Sequence, residues 1–250
     1  PPQPAPIARH GREAGTANPS PGAALPDTAL LRLIWLASPA LPVGGFSYSE
    51  GLEGAIDQGF VHDEASTLGW LHDQLILGAA RSEWPLLAAA HRAWQQPDME
   101  RLVSLNDWMM QTRESAELLA QALQMGRSMA AWLREAHPGE ARVALLDALR
   151  PAPLWPLAWA LGAVLGGASE RAAMLAFGFG WCENQVQGAL KAVPLGQAAG
   201  RRVLQALADA LPAAVDASQA TGDADRVAYL PGLAIASAGH ETQYSRLFRS

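Results

Sequence analysis

From residue 27 to residue 220 the apolar side chains recur at the three- and four-residue spacing of a helix face, and no useful stretch alternates as a strand would. This periodicity confines the chain to helix-on-helix packing and predicts an all-α fold, a single helical-bundle-like domain of about ten helices. With 250 residues, half of them hydrophobic, the chain has enough apolar material for one sizeable core and sits at the upper end of single-domain length.

Caps and breakers set the expected element limits. Asp27 reads as the N-cap of a helix over 28–37, in which Leu30, Leu31, Ile34 and Trp35 fall at helical spacing. A short helix comes next over 48–58 and stops at Gly59. Asp63 caps a longer one with Leu68, Leu71, Leu75 and Ala79 on its stripe. Pro85 suits the first helical position of the next, which runs to about Gln96. Asp98 caps a segment bearing Leu102, Leu105 and Met109, and the pattern continues past Arg113 to Leu118, Ala122, Met125, Met129 and Trp132. Prolines at 138, 151, 153 and 156 divide the chain beyond that point; Ser169 caps a helix through Leu190, Pro194 ends it, and a final pair occupies 196–220. Residues 1–26 hold seven prolines and almost no large apolar side chains, and read as a disordered tail. The domain is thus expected over 27–220, with an irregular C-terminal tail over 221–250.

Charge and composition remove several functions. A formal charge of −6 and a pI near 5.5, with no local basic patch, give no general attraction to nucleic acid. The most apolar run, 154–166, contains Pro156 and is shorter than the roughly 20 residues of a bilayer-spanning helix, so no membrane segment is expected. The lone Cys182 cannot close an intramolecular disulfide, no signal-peptide pattern is present, and a reducing, cytoplasmic setting is expected. The 17 arginines and single lysine, Lys191, accompany an Ala-rich composition.

The obvious chemical candidates resolve into ordinary roles. His62, Asp63, Glu64 and His72 lack metal-ligand spacing and read as capping and solvated-face residues. Ser47, Ser49 and Cys182 have no partner His or nucleophile elbow, and Cys182 lies among Phe179, Trp181 and Val186 like a core thiol. Gly44 and Gly45 are succeeded by Phe46 and Ser47, not by the Lys-Ser or Lys-Thr of a phosphate loop. Gly162, Gly166, Gly167, Gly178 and Gly180 are packing positions, the last two also marking a bend or a partner surface. Trp70, Trp84, Trp94 and Trp108 either complete the core or anchor an interface.

One segment breaks the helical text: Ser38-Pro39-Ala40-Leu41-Pro42-Val43-Gly44-Gly45-Phe46-Ser47-Tyr48-Ser49-Glu50-Gly51-Leu52-Glu53. Its prolines fix φ, its glycines permit unusual backbone, and Ser47-x-x-Glu50 reads as a capping box delivering Tyr48 to a helix start. The segment resembles the signature of the UreF family of urease accessory proteins, S-P-x-[FL]-P-x-G-x-[FY]-x-[YH]-S-x-G-L-E. The C-terminal run His240 to Ser250, through Ser245-Arg246-Leu247-Phe248, is similar to that family's S-R-L-[FY] tail, and Lys191 to Gln197 resembles its basic-x-x-P-[LF]-G-Q segment. The likeness extends from about Leu30 to Ser250. Gly45 stands where Ala is common and Gly54 where a larger residue is frequent, and both are expected to loosen the helix after the loop.

The resemblance implies a non-enzymatic, dimeric chaperone scaffold. Such a protein joins a UreD/UreH-like partner through helices and the C-terminal tail, then recruits a nickel-carrying UreG-like GTPase to deliver nickel to apo-urease. It implies no tightly bound cofactor, nickel being cargo in transit through the complex. Carried over residue by residue, Tyr48 and Arg246 organise the GTPase-docking surface and Lys191 communicates with it. Glu50, His240, Leu247 and Phe248 complete the partner-binding set. The tail is expected to order on partner binding, held by charge-assisted bonds from Arg246 and by burial of Leu247 and Phe248. No firm metal site emerges; His240, beside Glu241, is the single candidate for a transient nickel contact, against a plain role as polar interface. Two other readings stay open. One is a GTPase-activating or fidelity-modulating protein with an arginine finger from the tail, and the other an α-helical hydrolase using Glu50, Glu53, His62 and Asp63.

Overall fold

The computed structural model describes residues 25–249, so the expected tail over 1–26 lies almost wholly outside them. Among the described residues there are eleven α-helices and no strand. They are α1 Asp27–Ala37, α2 Leu52–Asp57, α3 Glu64–Asp73, α4 Glu83–Gln95, α5 Met99–Thr112 and α6 Ala116–Ala136, then α7 Ala141–Ala148, α8 Trp155–Leu165, α9 Glu170–Ala192, α10 Gln197–Ala220 and α11 Pro231–His240. None is long and apolar enough to cross a membrane.

Helix α8 is apolar all round, and a helix with no polar face belongs in the middle of a bundle. Every residue from Pro156 to Ala163 is buried, with α4, α6 and α1 packed around it. Its backbone and side chains also take polar ties: the Trp94 indole N–H donates to the Leu157 carbonyl (3.0 Å), and that of Trp159 to the Leu36 carbonyl (3.4 Å). Trp84 and Trp94 complete the core, whereas Trp70 and Trp108 are partly buried at its edge. Gly178 is a packing position: the Trp84 ring and Leu211 lie where its Cβ would go. Cys182 is buried, and burial pushes its thiol up to about 12, which leaves it inert.

Several expected boundaries move for identifiable reasons. Asp27 lies in the first turn of α1 without a capping bond, which favours the positive helix end without ending the helix. Pro85 is the third residue of α4, where its missing N–H is still one that has no intrahelical acceptor. The pattern across Arg113 divides into α5 and α6, because Ser115 takes the α6 cap through Leu118 N–H and Arg113 turns to Glu83. The long helix from Asp63 ends at Asp73 and continues as a π turn, Gln74–Gly78, and a 3-10 turn, Ala79–Arg81. The pair expected over 196–220 is one helix: the stripe Val203, Leu207, Leu211, Ala214 and Val215 stays in phase across exposed Pro212. Burial of that stripe outweighs the roughly 3 kcal/mol an interior proline costs. The tail expected to be irregular contains α11, begun by Pro231 in its first turn.

A second, smaller apolar cluster sits apart from the main core: Leu52, Ala55, Val61, Ala189, Val193 and Ala236, most of them from α2, α9 and α11. It is the floor on which the C-terminal segment rests.

Candidate functional site

The signature loop is shaped by backbone that few side chains adopt. Gly44 (φ 79°) starts a 3-10 turn, Gly45–Ser47, and two consecutive residues, Glu50 (φ 49°) and Gly51 (φ 78°), are left-handed. The expected capping box does not form: Gly51 occupies the N-cap of α2, and the Ser49 hydroxyl accepts from Glu53 N–H (3.3 Å). Tyr48 is buried in the main core, and Asn184 of α9 donates to the carbonyls of Gly45 (3.3 Å) and Tyr48 (3.4 Å). The reversal at Glu50 and Gly51 sends the two carboxylates of this stretch to different places.

Glu53 meets the tail. Its Oε1 accepts from Leu247 N–H (2.6 Å) and its Oε2 from Phe248 N–H (2.8 Å). His240, at the end of α11, is wholly buried, with Nε2 3.1 Å from Glu53 Oε2 and Nδ1 2.7 Å from Glu117 Oε2. Arg246 then donates to Glu117 Oε1 (2.9 Å) and to the Glu241 carbonyl. One continuous chain of charge-assisted bonds therefore joins α2, α6, α11 and the tail, the buried ones worth about 1.5–3 kcal/mol each and the exposed Arg246 pair, screened by water, less than about 1 kcal/mol. Glu241 turns away from His240 to accept from Ala116 N–H (3.0 Å) at the start of α6.

Packing completes the attachment. A Cβ on Gly54 would collide with the Ala236 carbonyl, so α2 and α11 touch backbone to backbone; glycine there admits α11, in contrast to the loosening expected of it. Phe248 is 7% exposed and lies over Gly188 of α9, with Lys191 Nζ 5.7 Å from its ring centroid. Arg249 N–H donates to the Ser47 carbonyl (2.9 Å), returning the chain to the signature loop.

Of the residues singled out from sequence, His240, Arg246, Lys191 and Phe248 gather at this docked tail, beneath which the signature loop runs. Leu247 differs from expectation: it is 59% exposed, because its N–H faces Glu53 and its side chain faces outward. The tail, expected to order on partner binding, lies on its own domain, where Glu117 accepts from Arg246 and Glu53 from the Leu247 and Phe248 N–H groups. Sequence reasoning missed Glu117, Asn184 and Gly188. Glu117 carries only the weak signal of an acid in a helix first turn. Glu53 closes the signature, yet in sequence it suggests nothing beyond an acid–base group.

His62, Asp63 and Glu64 behave as caps and surface groups: Asp63 and Ser66 form a capping box on α3, and Glu64 pairs with Arg202 (2.6 Å). Glu50, Glu53, His62 and Asp63 do not converge. Among the described residues no three His, Cys, Asp or Glu side chains are arranged to hold a metal ion.

Glu50 points inward. Gln121 donates to its Oε1 (2.6 Å), the Trp181 indole to its Oε2 (2.7 Å), and Gln74, from the π turn, to its carbonyl (3.0 Å). Burial, reinforced by nearby Glu83, raises its carboxyl above the ordinary carboxylate range despite those donors.

Comparison with known proteins gives a consistent result. The UreF family matches residues 61–208. The urease accessory protein UreF of Methylibium petroleiphilum is 56% identical over 92% of this chain and 98% of that protein. Its namesake in Paracidovorax citrulli is 53% identical over 95% and 96%. A bifunctional urease accessory protein UreEF of Bordetella bronchiseptica is 44% identical over 95% of this chain and 55% of its own length.

Proposed function

The chain belongs to the UreF family of urease accessory proteins, and from that premise we propose that it is a non-catalytic scaffold in nickel insertion. It bridges a UreD/UreH-like partner and a UreG-like GTPase, works as a homodimer in the cytoplasm, and helps deliver nickel, as cargo, to apo-urease. The observation that carries this reading is the convergence of three separated motifs on one surface, with Tyr244 and Leu247 held outward by a tail whose backbone is fixed. Exposed aromatic and aliphatic groups on an ordered backbone are suited to binding a partner, because little further entropy is lost when they dock. Arg246 serves here as a clamp: its guanidinium is committed to Glu117 and to two tail carbonyls, which favours a positioning role over an arginine finger.

The test is Arg246→Ala, assayed in cells expressing the urease subunits and the other accessory proteins. Retained fold, weakened co-elution of the GTPase and reduced urease-bound nickel are expected; undiminished recruitment would remove the scaffold reading. Because Tyr48 is in the core, Tyr48→Phe is the informative change there, leaving packing intact while deleting the hydroxyl.

A further inference from the structure

Three cavities, of about 100, 60 and 20 Å³, share Glu50 and Glu83 in their walls. The first opens beside the signature loop at Phe46, and the second is closed partly by residues 227–230 and by Leu233 of α11. The first is lined by Trp155, Trp159, Phe177 and Trp181, with Phe177 against Trp155 (6.0 Å between centroids) and Trp159 (5.2 Å). The second adds Gln74 and Arg113.

Charge in this chamber does not balance. Arg113 is bonded to Glu83 (2.6 Å) and reaches Glu50 only through its field, while the hydrogen-bond donors to Glu50 are the neutral Gln121 and Trp181. In the second cavity Gln74 is 5% exposed and its Oε1 has no hydrogen-bond donor, while Arg113 Nε, in the same wall, has no acceptor. The Glu50 carboxyl borders the aromatic cavity and keeps lone pairs free beyond its two donors, which asks for a donor-bearing ligand there, preferably a cation. Glu50 is also held at φ 49°, a region that costs a side-chain-bearing residue roughly 1–2 kcal/mol, so its carboxyl occupies that position against a backbone preference.

We propose that this chamber binds a small organic cation, a guanidinium or primary ammonium group, between the aromatic wall and the Glu50 carboxylate. The aromatic lining separates this from a metal site: ring faces attract organic cations, and no set of metal-ligating side chains is assembled here among the described residues. The size agrees. At about 10–15 Å³ per water, 100 Å³ has room for roughly seven to ten water-sized groups, more than the heavy atoms of a methylguanidinium ion. Burial, which disfavours an ionised Glu50 in the free chain, becomes an asset once a cation enters, since the pair then attracts through low dielectric. The cation comes either from a free small molecule or from the Lys or Arg side chain of another protein.

The experiment titrates the intact chain with methylguanidinium chloride, monitoring the Trp181 indole N–H resonance, against sodium chloride at equal ionic strength and against methylurea as the neutral isostere. A saturable shift with methylguanidinium, at least tenfold weaker for methylurea and for Glu50→Gln, is expected. Trp155→Leu, which removes one ring of the aromatic wall and leaves the bonds to Glu50 in place, should weaken binding several-fold and guards against a misfolded Glu50 variant. Repeating the titration on the chain assembled with its partners separates the sources: a lost response assigns the site to a partner side chain, and a retained one to a free ion. No saturable response in the intact chain, or one that methylurea reproduces, overturns the proposal.

Discussion

Single residues decide what is held in place. Glu53 accepts both tail N–H groups and faces His240, so Glu53→Gln should cost about 1.5–3 kcal/mol locally by trading one acceptor oxygen for an amide that clashes with those donors. Faster hydrogen exchange at Leu247 and Phe248, with the rest of the domain protected, is the expected reading; unchanged exchange would mean that packing of Phe248 alone suffices. His91 gives a pH signature. Burial lowers its pKa, its Nε2 faces the Ala168 carbonyl (3.1 Å), and the folded state therefore prefers the neutral ring. The unfolded chain takes up the proton first, so stability is intact above an unfolded pKa of about 6.5 and falls as pH drops through it. Melting at pH 7.5 and 5.5 should show a loss that His91→Gln reduces. Glu50 works in the opposite sense, its raised pKa making the folded state less stable as pH rises past the ordinary carboxylate range.

At the level of elements, backbone proximity matters more than propensity. Gly54→Ala should push α11 off α2 at a cost of about 1–3 kcal/mol, seen as lost protection over 231–249. An unchanged exchange pattern there would show that α11 can shift without penalty. The same physics decides how legible these elements are in the sequence. Asp63, Asp98 and Ser169 cap as local sequence suggests, because a cap is decided within three residues. Helix α11 is hidden, since its apolar contacts are with α2 near the other end of the chain, and the break at Arg113 is hidden because Glu83 holds it from another helix. In the same way the motifs announce His240, Arg246 and Phe248, whereas Glu117 can be recognised only once α6 lies beside the tail. Ser47-x-x-Glu50 misleads for a local reason: Gly51 accepts the left-handed cap more cheaply than Ser47 and Glu50 can form their pair.

The whole molecule has two tiers of cohesion. The main core centres on α8, and the small cluster of Leu52, Ala55, Val61, Ala189, Val193 and Ala236 supports the tail. A unit with few buried contacts opens below the global free energy. Native-state exchange in low denaturant should release α11 and the tail before α8, while simultaneous release would make them one cooperative unit. The Glu53 bonds to Leu247 and Phe248 carry a different implication. They read main-chain amides, which every residue except proline supplies, so attachment constrains the tail's path while leaving the identity of an outward residue such as 247 open. Under the scaffold role proposed above, outward positions 244 and 247 form a cassette in which partner preference can be rewritten by mutation without undoing the fastening beneath it.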